Sequence, residues 1–529
     1  MNKIRIKLQM LLSLILVFTT SCTKQHKQQP NIIFIMSDDH AAHAIGAYGG
    51  RLSKLGMTPN LDEMASDGML FQNVFCNNSI CTPSRASIIT GQYPQTNGVL
   101  DLDHKLDTDK QYLPIELKKL GYSTAVFGKW HLKNEPINFD YYKVLPSQGK
   151  YNNPVFLEKG KGEWPSNKVE TEGHSSDVIT SSVIEHIKNR DQSKPFFVMH
   201  HFKAPHGFFH YAPRYESYLA DTEIPEPASM YYQTNWGSEG SRGKNDSLRN
   251  YIGSSTSNRH FDINYHSNYF QKTDDQQQSA HEAYQHYLKA YLRLVKGVDD
   301  NIGKLIAYLK QEGLYDNTVI VYTSDQGMML GEHDFQDKRW MYEESMRMPF
   351  IMHYPKMIEP GKVNDLLVNN TDFAPTLIEL AGGSAPKYMQ GKSFINTLQG
   401  KDELGWRTAT YYRYWMHIIH HYVPAHIGIR SKNYKLMFFY GKHYLPEEEH
   451  EGHYWKKRYD GEERETPHTW EFYDLSNDPQ ELNNRYNDTA YSEIIAELKV
   501  EMLKQREELN ETDKDYPEIQ EIIKKHWND

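Results

Sequence analysis

The chain has 529 residues, more than one hydrophobic core usually organises, so we expect one large domain and a smaller one. A net charge of -10, with no tract rich in Lys and Arg, argues against nucleic acid as a partner. The 37 Tyr and 9 Trp residues suit stacking on sugar rings, but aromatic side chains also serve ordinary packing, so their number decides nothing alone.

The N-terminus has the pattern of an export signal. Basic residues precede an apolar run over 10–18, and small residues lead to Cys22. We expect residues 1–22 to be a lipoprotein signal peptide and residues 23–30 a polar tether. Lipidation of Cys22 would anchor the chain to the bacterial outer membrane, at the cell surface or the periplasmic face. The apolar run is too short for a stable transmembrane helix, so the lipid is the expected membrane contact. The alternative is a soluble secreted protein cleaved nearby.

The first predicted strand of the mature chain ends at an acidic pair. Residues 31–36 form an unbroken apolar run, which is typical of a central parallel strand buried on both faces. Asp38 and Asp39 follow at the carboxyl end, where open α/β sheets bind ligands. Adjacent carboxylates repel each other unless a cation neutralises them, and oxygen ligands suit Ca²⁺ or Mg²⁺. A solvated turn is the alternative for such a pair.

A short helix is predicted to start near Cys81. Pro83 suits the first helical position and Gly91 suits the C-terminal stop. The free N–H groups at the start of the helix, with Arg85 one turn further on, favour a tetrahedral oxyanion beside Cys81. A single cysteine is more often a small buried apolar residue, so this pattern is not decisive by itself.

Later apolar runs predict further strands of the same sheet. Apolar residues recur at helical spacing over 284–309, and the run over 318–323 predicts a second buried strand that ends just before Asp325 and Gln326. Two other segments each predict a strand followed by polar residues. The first is 123–132, which includes Lys129 and His131, and the second is 196–206, which includes His206. Beyond these, 428–436 predicts a hairpin, 469–475 a strand, and the spacing of Ile494, Leu498 and Met502 a terminal helix.

The segment Cys81-Thr82-Pro83-Ser84-Arg85, continued to Gly91, resembles the signature of the type I sulfatases. In that family a maturation enzyme oxidises the cysteine to formylglycine, whose hydrate is the nucleophile. Five further motifs along the chain occur in the family's order, and the segment 325–348 is most similar to sulfatases of polysaccharide-degrading Bacteroidetes. The resemblance covers almost the whole mature chain and is weakest over the apparent insertion at about 221–278.

The resemblance implies a role for each matching residue. The implied catalytic residues are Cys81, Arg85, Lys129, His131, His206 and Lys338. The implied ligands of Ca²⁺, with Mg²⁺ as the alternative, are Asp38, Asp39, Cys81, Asp325 and Gln326, the last standing where the family more often has Asn. Candidates for substrate contacts are His40, His333, Arg339 and Trp340. With Cys22 lipidated and Cys81 oxidised, only Cys76 remains, so we expect no intrachain disulfide.

The implied chemistry follows from the charges. A gem-diol oxygen attacks the sulfur of a sulfate ester while the cationic groups stabilise the developing charge. His206 protonates the departing sugar oxygen. His131 then removes the proton of the second hydroxyl, which expels sulfate and regenerates the aldehyde.

The implied fold is α/β, with an alkaline-phosphatase-like core over 31–400 that contains a large, mixed, mostly parallel sheet flanked by helices. A smaller α+β subdomain with an antiparallel sheet would occupy 401–529. The implied function is an exported sulfatase of a sulfated poly- or oligosaccharide, either an algal glycan such as ulvan or a glycosaminoglycan, matured by a formylglycine-generating enzyme. Two alternatives stay open: a phosphonate monoester or phosphodiester hydrolase of the same superfamily, and a non-catalytic glycan-binding surface lipoprotein.

Overall fold

The computed structural model describes residues 29–232, 234–243, 275–419, 421–445 and 465–529. The predicted signal peptide, Cys22, nearly all of the predicted tether and much of the predicted insertion lie outside these ranges. Within them, every helix is too short or too polar to cross a membrane.

Strands and helices alternate through the first three quarters of the chain. The strands are β1 (Asn31–Asp38), β2 (Met69–Phe71), β3 (Val74–Phe75), β4 (Ser123–Lys129), β5 (Tyr141–Leu145), β6 (Val155–Glu158), β7 (Lys168–Glu170), β8 (Phe196–Pro205), β9 (Thr318–Ser324), β10 (Met329–Leu330), β11 (Gln336–Asp337), β12 (Phe350–His353), β13 (Lys362–Asn364), β14 (Val368–Asn369), β15 (Ala409–Tyr414), β16 (His426–Ser431), β17 (Tyr434–Phe439) and β18 (Thr469–Asp474). The α-helices are α1 (Pro59–Ser66), α2 (Cys81–Thr90), α3 (Pro94–Asn97), α4 (Tyr112–Lys119), α5 (Ser175–Lys188), α6 (Glu239–Arg242), α7 (Gln276–Gln311), α8 (Glu343–Met346), α9 (Phe373–Leu380), α10 (Ile395–Leu398), α11 (Ser492–Glu508) and α12 (Pro517–His526).

A large mixed sheet forms the centre of the molecule. Among the described residues it has ten strands in the order β13-β2-β12-β9-β1-β8-β4-β5-β6-β7. The central strands β9, β1, β8, β4 and β5 are parallel, whereas β12 and β6 pair antiparallel with their inner neighbours. This confirms the predicted large, mixed, mostly parallel sheet.

Both faces of the central strands are buried, which explains their unbroken apolar sequences. In β1, Phe34 packs into the core that includes residues of α2 and α9, whereas Ile33 and Ile35 pack into the core formed with α7 and α5. The predicted helix over 284–309 is part of α7, which covers the second face.

A smaller antiparallel sheet follows in the C-terminal part. Its strand order is β15-β16-β17-β18, and β16 and β17 form the predicted hairpin. The apolar residues Leu498 and Met502 of α11 pack into the same core as Ile427 of β16. An α+β unit with an antiparallel sheet is therefore confirmed, while the boundary at residue 400 stays a prediction.

Strand register brings the polar residues after the central strands together. β1 and β9 pair in parallel with Ser37 opposite Ser324, so Asp38 and Asp325 leave the sheet at the same level. On the other side of β1, Asp38 lies opposite Pro205 of β8. The carboxyl ends of three neighbouring strands thus meet at one edge of the sheet.

Candidate active site

Three buried carboxylates meet at this edge. Asp38, Asp39 and Asp325 each place an oxygen within 4.8 Å of the other two. Asp39 has a positive φ of 68°, which turns the chain as it leaves β1, and its N–H donates to the Oδ1 atom of Asp325 at 3.2 Å. Two strand ends and one turn therefore fix the cluster.

The three carboxyl groups differ in pKa. Burial would raise the pKa of Asp38, but nearby positive charges, that of Lys129 first among them, outweigh it and hold that pKa well below its usual range. Burial raises the pKa of Asp39 to about 6, against the attraction of Lys338. It raises the pKa of Asp325 to about 7, against the attraction of Arg85. Two of the three carboxylates are thus short of positive charge.

The amide of Gln326 completes the oxygen set. Its Nε2 donates to Asp39, while its Oε1 is buried and has no hydrogen-bond partner in the described part of the chain. An unpartnered buried oxygen beside three carboxylates matches the ligands that Ca²⁺ and Mg²⁺ prefer. The residues present therefore fit the predicted divalent cation, although they do not distinguish the two metals.

Arg85 connects the cluster to the helix that carries Cys81. Its Nε donates to Asp325 Oδ2 at 2.9 Å, its Nη1 to the Lys129 carbonyl at 2.6 Å, and its Nη2 approaches Asp38 Oδ1 at 3.4 Å. These contacts join α2 to the ends of β9, β4 and β1. These donors of Arg85 all point to protein groups, and Arg85 does not line the cavity that gives access to the cluster. In this structure, its role is to hold the carboxylates in position.

Two lysines bring positive charge to the same place. The fully buried Lys129 donates to Asp38 and, at 2.6 Å, to Gln148 Oε1. Its Nζ lies 3.8 Å from Cys81 Sγ. Lys338 Nζ lies 2.5 Å from Asp39 Oδ2. Each lysine is thus paired with one carboxylate of the cluster.

Cys81 is the first residue of α2, with Ile80 as the N-cap, so Pro83 is the third helical residue rather than the first as predicted. The Sγ atom lies within 4.8 Å of ligand atoms of Asp38 and His206. Cys81 is only 1% exposed, and burial raises the pKa of its thiol to about 12 despite the charges of Lys129 and Lys338. The unmodified side chain is therefore a neutral thiol at pH 7 and a poor nucleophile.

Two histidines border the same group. His206 follows β8 directly, and its Nε2 lies 3.8 Å from Asp39 Oδ2. His131 has a positive φ of 57°, and its buried Nδ1 lacks a hydrogen-bond partner in the described ranges. Burial, together with the charge of Lys129, holds the pKa of His131 well below its usual range. Burial and the charges of Lys338 and Lys129 do the same for the pKa of His206, so both rings are neutral at pH 7.

A cavity of about 630 Å³ gives access to this group. Of the predicted site residues, those that line it are Cys81, His206, Lys338 and Arg339. Arg339 is held by Asp337, whose Oδ2 accepts from its Nε at 2.8 Å. The predicted catalytic and metal-binding residues are therefore close together, and four of the predicted residues line one cavity.

The structure places three of the predicted substrate contacts away from the cavity lining. His40 is fully buried and its Nδ1 forms a hydrogen bond with the Tyr322 hydroxyl. His333 is also fully buried and stacks on Trp236, with ring centroids 4.7 Å apart. Trp340 is fully buried in the large core. None of the three lines the cavity, so their contact with a sugar stays a prediction.

Other cavity residues were not predicted from the sequence. They include Gln148, Lys150, Lys203, His210, Asp337 and His421. Lys203 gave a usable signal, because a lysine within a predicted buried strand is unusual and this one lies three residues before His206. Asp337 lies in the short strand β11, the others lie between regular elements, and no periodic pattern marks any of them.

Two family models match the chain. The one described as Sulfatase matches residues 30–384, which is more than half of the chain. The one described as N-sulphoglucosamine sulphohydrolase, C-terminal, matches 331–451 and 453–508.

Individual proteins match over most of their length. An N-acetylglucosamine-6-O-sulfatase of Bacteroides thetaiotaomicron is 36% identical over 528 residues, covering 92% of this chain and 89% of that protein. An ulvan-active sulfatase of Formosa agariphila is 27% identical over 479 residues, covering 89% of this chain and 78% of that protein. Among solved structures, BT4656 in complex with its substrate D-glucosamine-2-N,6-O-disulfate has a TM-score of 0.79 and 34% identity, covering 92% of this chain and 99% of that chain.

Proposed function

Because this chain belongs to the sulfatase family and is a sulfuric ester hydrolase, we propose that it removes 6-O-sulfate groups from glucosamine-type sugars of a glycosaminoglycan. The observation that carries the catalytic part of the proposal is that Cys81, His206 and Asp38 hold ligand atoms within 4.8 Å of one another beside a cavity. The glucosamine relatives, at 36% and 34% identity, favour this substrate class over ulvan, whose relative is 27% identical.

The nucleophile in this proposal is a modified Cys81. A neutral thiol with a pKa of about 12 is a poor nucleophile, whereas a formylglycine at this position would supply a hydroxyl oxygen as its hydrate. Asp38, Asp39, Asp325 and Gln326 would hold the divalent cation, whose charge would polarise the sulfate ester.

The lysines bind and orient the sulfate ester. Lys129 and Lys338 lie beside the Cys81 position, and Asp38 and Asp39 fix their ammonium groups there. Two ammonium groups can donate to the ester oxygens and stabilise the charge that develops on them. Because both lysines are buried, their charges act in a medium that screens them less than water does.

The histidines move the protons. The Gly207 carbonyl accepts a hydrogen bond from His206 Nδ1, so Nδ1 carries a proton and Nε2 is the ring atom nearer the carboxylate cluster. His206 can then deliver a proton from Nε2 to the departing sugar oxygen when the negative charge of the bound ester favours the imidazolium form. The neutral His131 is suited to accept the proton of the second hydroxyl at position 81.

The proposal includes export and lipid anchoring at Cys22, which rest on the sequence pattern of residues 1–22. Expression of the full chain in a bacterium with lipoprotein processing should place it in the membrane fraction. The variant Cys22→Ser should move it to the soluble exported fraction. Equal distribution of the two proteins would contradict the anchor.

The substrate is tested by sulfate release from a panel of pure sugars, with protein from a host that makes formylglycine. We expect turnover of N-acetylglucosamine-6-O-sulfate and glucosamine-2-N,6-O-disulfate, and little from ulvan oligosaccharides or from galactosamine-6-O-sulfate sugars. An aryl phosphonate monoester in the panel tests the alternative hydrolase activity. Preference for ulvan or for the phosphonate would refute the proposed substrate class.

A further inference from the structure

Among the described residues, one buried cation beside the catalytic group has no ion-pair partner. Lys203 lies on β8 and lines the cavity together with Cys81 and His206, and it is only 4% exposed. Within the part of the chain that the structure describes, its ammonium has no carboxylate partner and no hydrogen-bond acceptor. Its one recorded contact is with the ring of Tyr151, 4.8 Å from Nζ to the centroid.

The other buried cations at this end of the cavity are paired, whereas Lys150, which also lines it, is exposed. Lys129 binds Asp38, Lys338 binds Asp39, and Arg339 binds Asp337. Asp337 is the one carboxylate in the described lining, and its neighbours Arg339 and Lys338 already satisfy it. Lys203 therefore brings to the cavity a buried positive charge without a direct partner, which Asp38 and Asp39 offset only from beyond ion-pair distance.

A buried charge without a partner is costly, so its presence needs a reason. Burial, with added repulsion from Lys129, lowers the pKa of Lys203 to about 8, which still leaves the ammonium charged at neutral pH. An incoming anion would remove the cost and would be held more strongly than at an exposed lysine.

Lys203 is held in place for such a contact. The Tyr151 ring beneath it is nearly buried, and the Tyr151 hydroxyl donates to the His206 carbonyl. The Lys203 ammonium is thus held against Tyr151, on the side of the cavity that Lys150 and His210 also line. Lys129 and Lys338, in contrast, are fixed at the carboxylate cluster beside Cys81.

We propose that Lys203 binds a second anionic group of the substrate, a sulfate or carboxylate carried by the sugar that bears the scissile ester or by the sugar next to it. This inference rests on the proposed function, because it assumes a sugar whose 6-O-sulfate occupies the Cys81 position. It makes Lys203 a specificity-determining residue that selects multiply charged sugars over singly charged ones.

The test compares two substrates that differ by one anion. N-acetylglucosamine-6-O-sulfate carries the scissile sulfate alone, whereas glucosamine-2-N,6-O-disulfate adds an N-sulfate. For Lys203→Met we expect kcat/KM on the disulfate to fall about 10- to 100-fold, mainly through KM, and kcat/KM on the N-acetyl sugar to change less than about threefold. A disaccharide in which a uronic acid adjoins the N-acetylated 6-O-sulfated sugar shows whether a neighbouring carboxylate is the bound anion instead.

Two further variants make the result specific. Lys203→Arg keeps the charge and should keep the preference for the second anion. Lys143→Met is the matched control. Lys143 also lies over an aromatic ring, with Nζ 5.3 Å from the Phe156 centroid, but it does not line this cavity. Its replacement should leave the kinetics of both substrates unchanged. Equal losses on both substrates with Lys203→Met would overturn the proposal, since they would place Lys203 at the scissile group. No loss on any doubly charged substrate would overturn it too.

Binding of products separates this proposal from the proposed function. Calorimetry with glucosamine-2-N-sulfate and N-acetylglucosamine, neither of which carries a 6-O-sulfate, reports the second anion without hydrolysis. The Lys203 site is supported if the wild-type protein binds the N-sulfated sugar more tightly and Lys203→Met abolishes that difference. This holds even if the wild-type protein hydrolyses neither of the two 6-O-sulfated substrates. If turnover occurs but Lys203→Met changes no preference, the proposed function stands and the Lys203 proposal is wrong. Absence of both effects refutes both.

Discussion

The Nζ atom of Lys129 lies 3.8 Å from the Sγ atom of Cys81 and donates to Asp38 at the same time. One buried ammonium group thus touches both the position of the nucleophile and a carboxylate of the proposed cation site. In the proposed mechanism, the substrate's sulfate, the nucleophile and the cation therefore share one small volume.

The first prediction concerns the modification of Cys81. Protein from a host with the maturation enzyme should show an aldehyde at Cys81 by peptide mass spectrometry. Cys81→Ala should lower sulfate release at least about 1,000-fold, because it removes the nucleophile. Cys76→Ser is the matched control, since Cys76 is equally buried and contacts Ser79 Oγ and the Met346 carbonyl instead. An active protein with an unmodified thiol at position 81 would contradict the mechanism.

The second prediction concerns Gln326 and the cation. Removing divalent metal should abolish activity and lower the melting temperature by about 2 °C or more, because the buried carboxylates then repel each other. Gln326→Leu should weaken Ca²⁺ or Mg²⁺ binding about 10- to 100-fold, whereas Gln326→Asn should retain it. The control Gln111→Leu alters another buried amide, whose Nε2 donates to the Glu135 carbonyl and not to a residue of the carboxylate cluster, and should leave cation affinity unchanged. Calorimetric titration measures all three, and equal affinities would exclude Gln326 as a ligand.

The third prediction concerns the proton supplied by His206. A sugar alkoxide leaves poorly without protonation, whereas nitrophenolate leaves readily. His206→Gln should therefore lower kcat on a sugar sulfate about 100-fold or more and kcat on 4-nitrophenyl sulfate less than about 10-fold. The comparison of the two substrates also controls for misfolding, because a misfolded variant would lose activity on both. Equal losses by a folded variant would show that His206 has another role.

The fourth prediction concerns stability and pH. Glu511 is fully buried, its Oε1 accepts from the Gln95 N–H at 2.7 Å, and burial raises its pKa from 4.5 to about 7. The folded protein then binds the Glu511 proton more tightly than the unfolded chain does, so this group lowers stability as pH rises from about 4.5 to about 7. The melting temperature of Glu511→Gln, relative to wild type, should therefore be higher at pH 8 than at pH 5. A difference that does not vary with pH would contradict the raised pKa.

Much of the site could be predicted because it lies at strand ends. The apolar runs that form β1 and β9 are unambiguous, and the positions of Asp38 and Asp325 follow from the geometry of parallel sheets. The expected chemistry was inferred from the resemblance of the Cys81 motif to the signature of the type I sulfatases. For these residues, sequence separation matters little because the sheet aligns their strands.

The location of other side chains could not be predicted, for a physical reason. His40 and Trp340 lie next to catalytic motifs, but sequence proximity does not say whether a side chain faces a cavity or the core. Gln148, which accepts from Lys129 at 2.6 Å, lies in a loop whose path depends on tertiary packing. The charge balance that singles out Lys203 is also invisible in the sequence, since it depends on which carboxylate meets which cation.

The burial of Cys81 bears on the order of events in biosynthesis. A side chain that is 1% exposed, enclosed by α2 and the carboxylate cluster, cannot enter the active site of another protein. An enzyme that oxidises Cys81 must therefore meet the chain before the sheet assembles, while this segment is still extended. Adding that enzyme to folded, unmodified protein should yield no activity, whereas unfolding the chain in its presence should restore access. Oxidation of Cys81 by another protein would therefore have to precede folding.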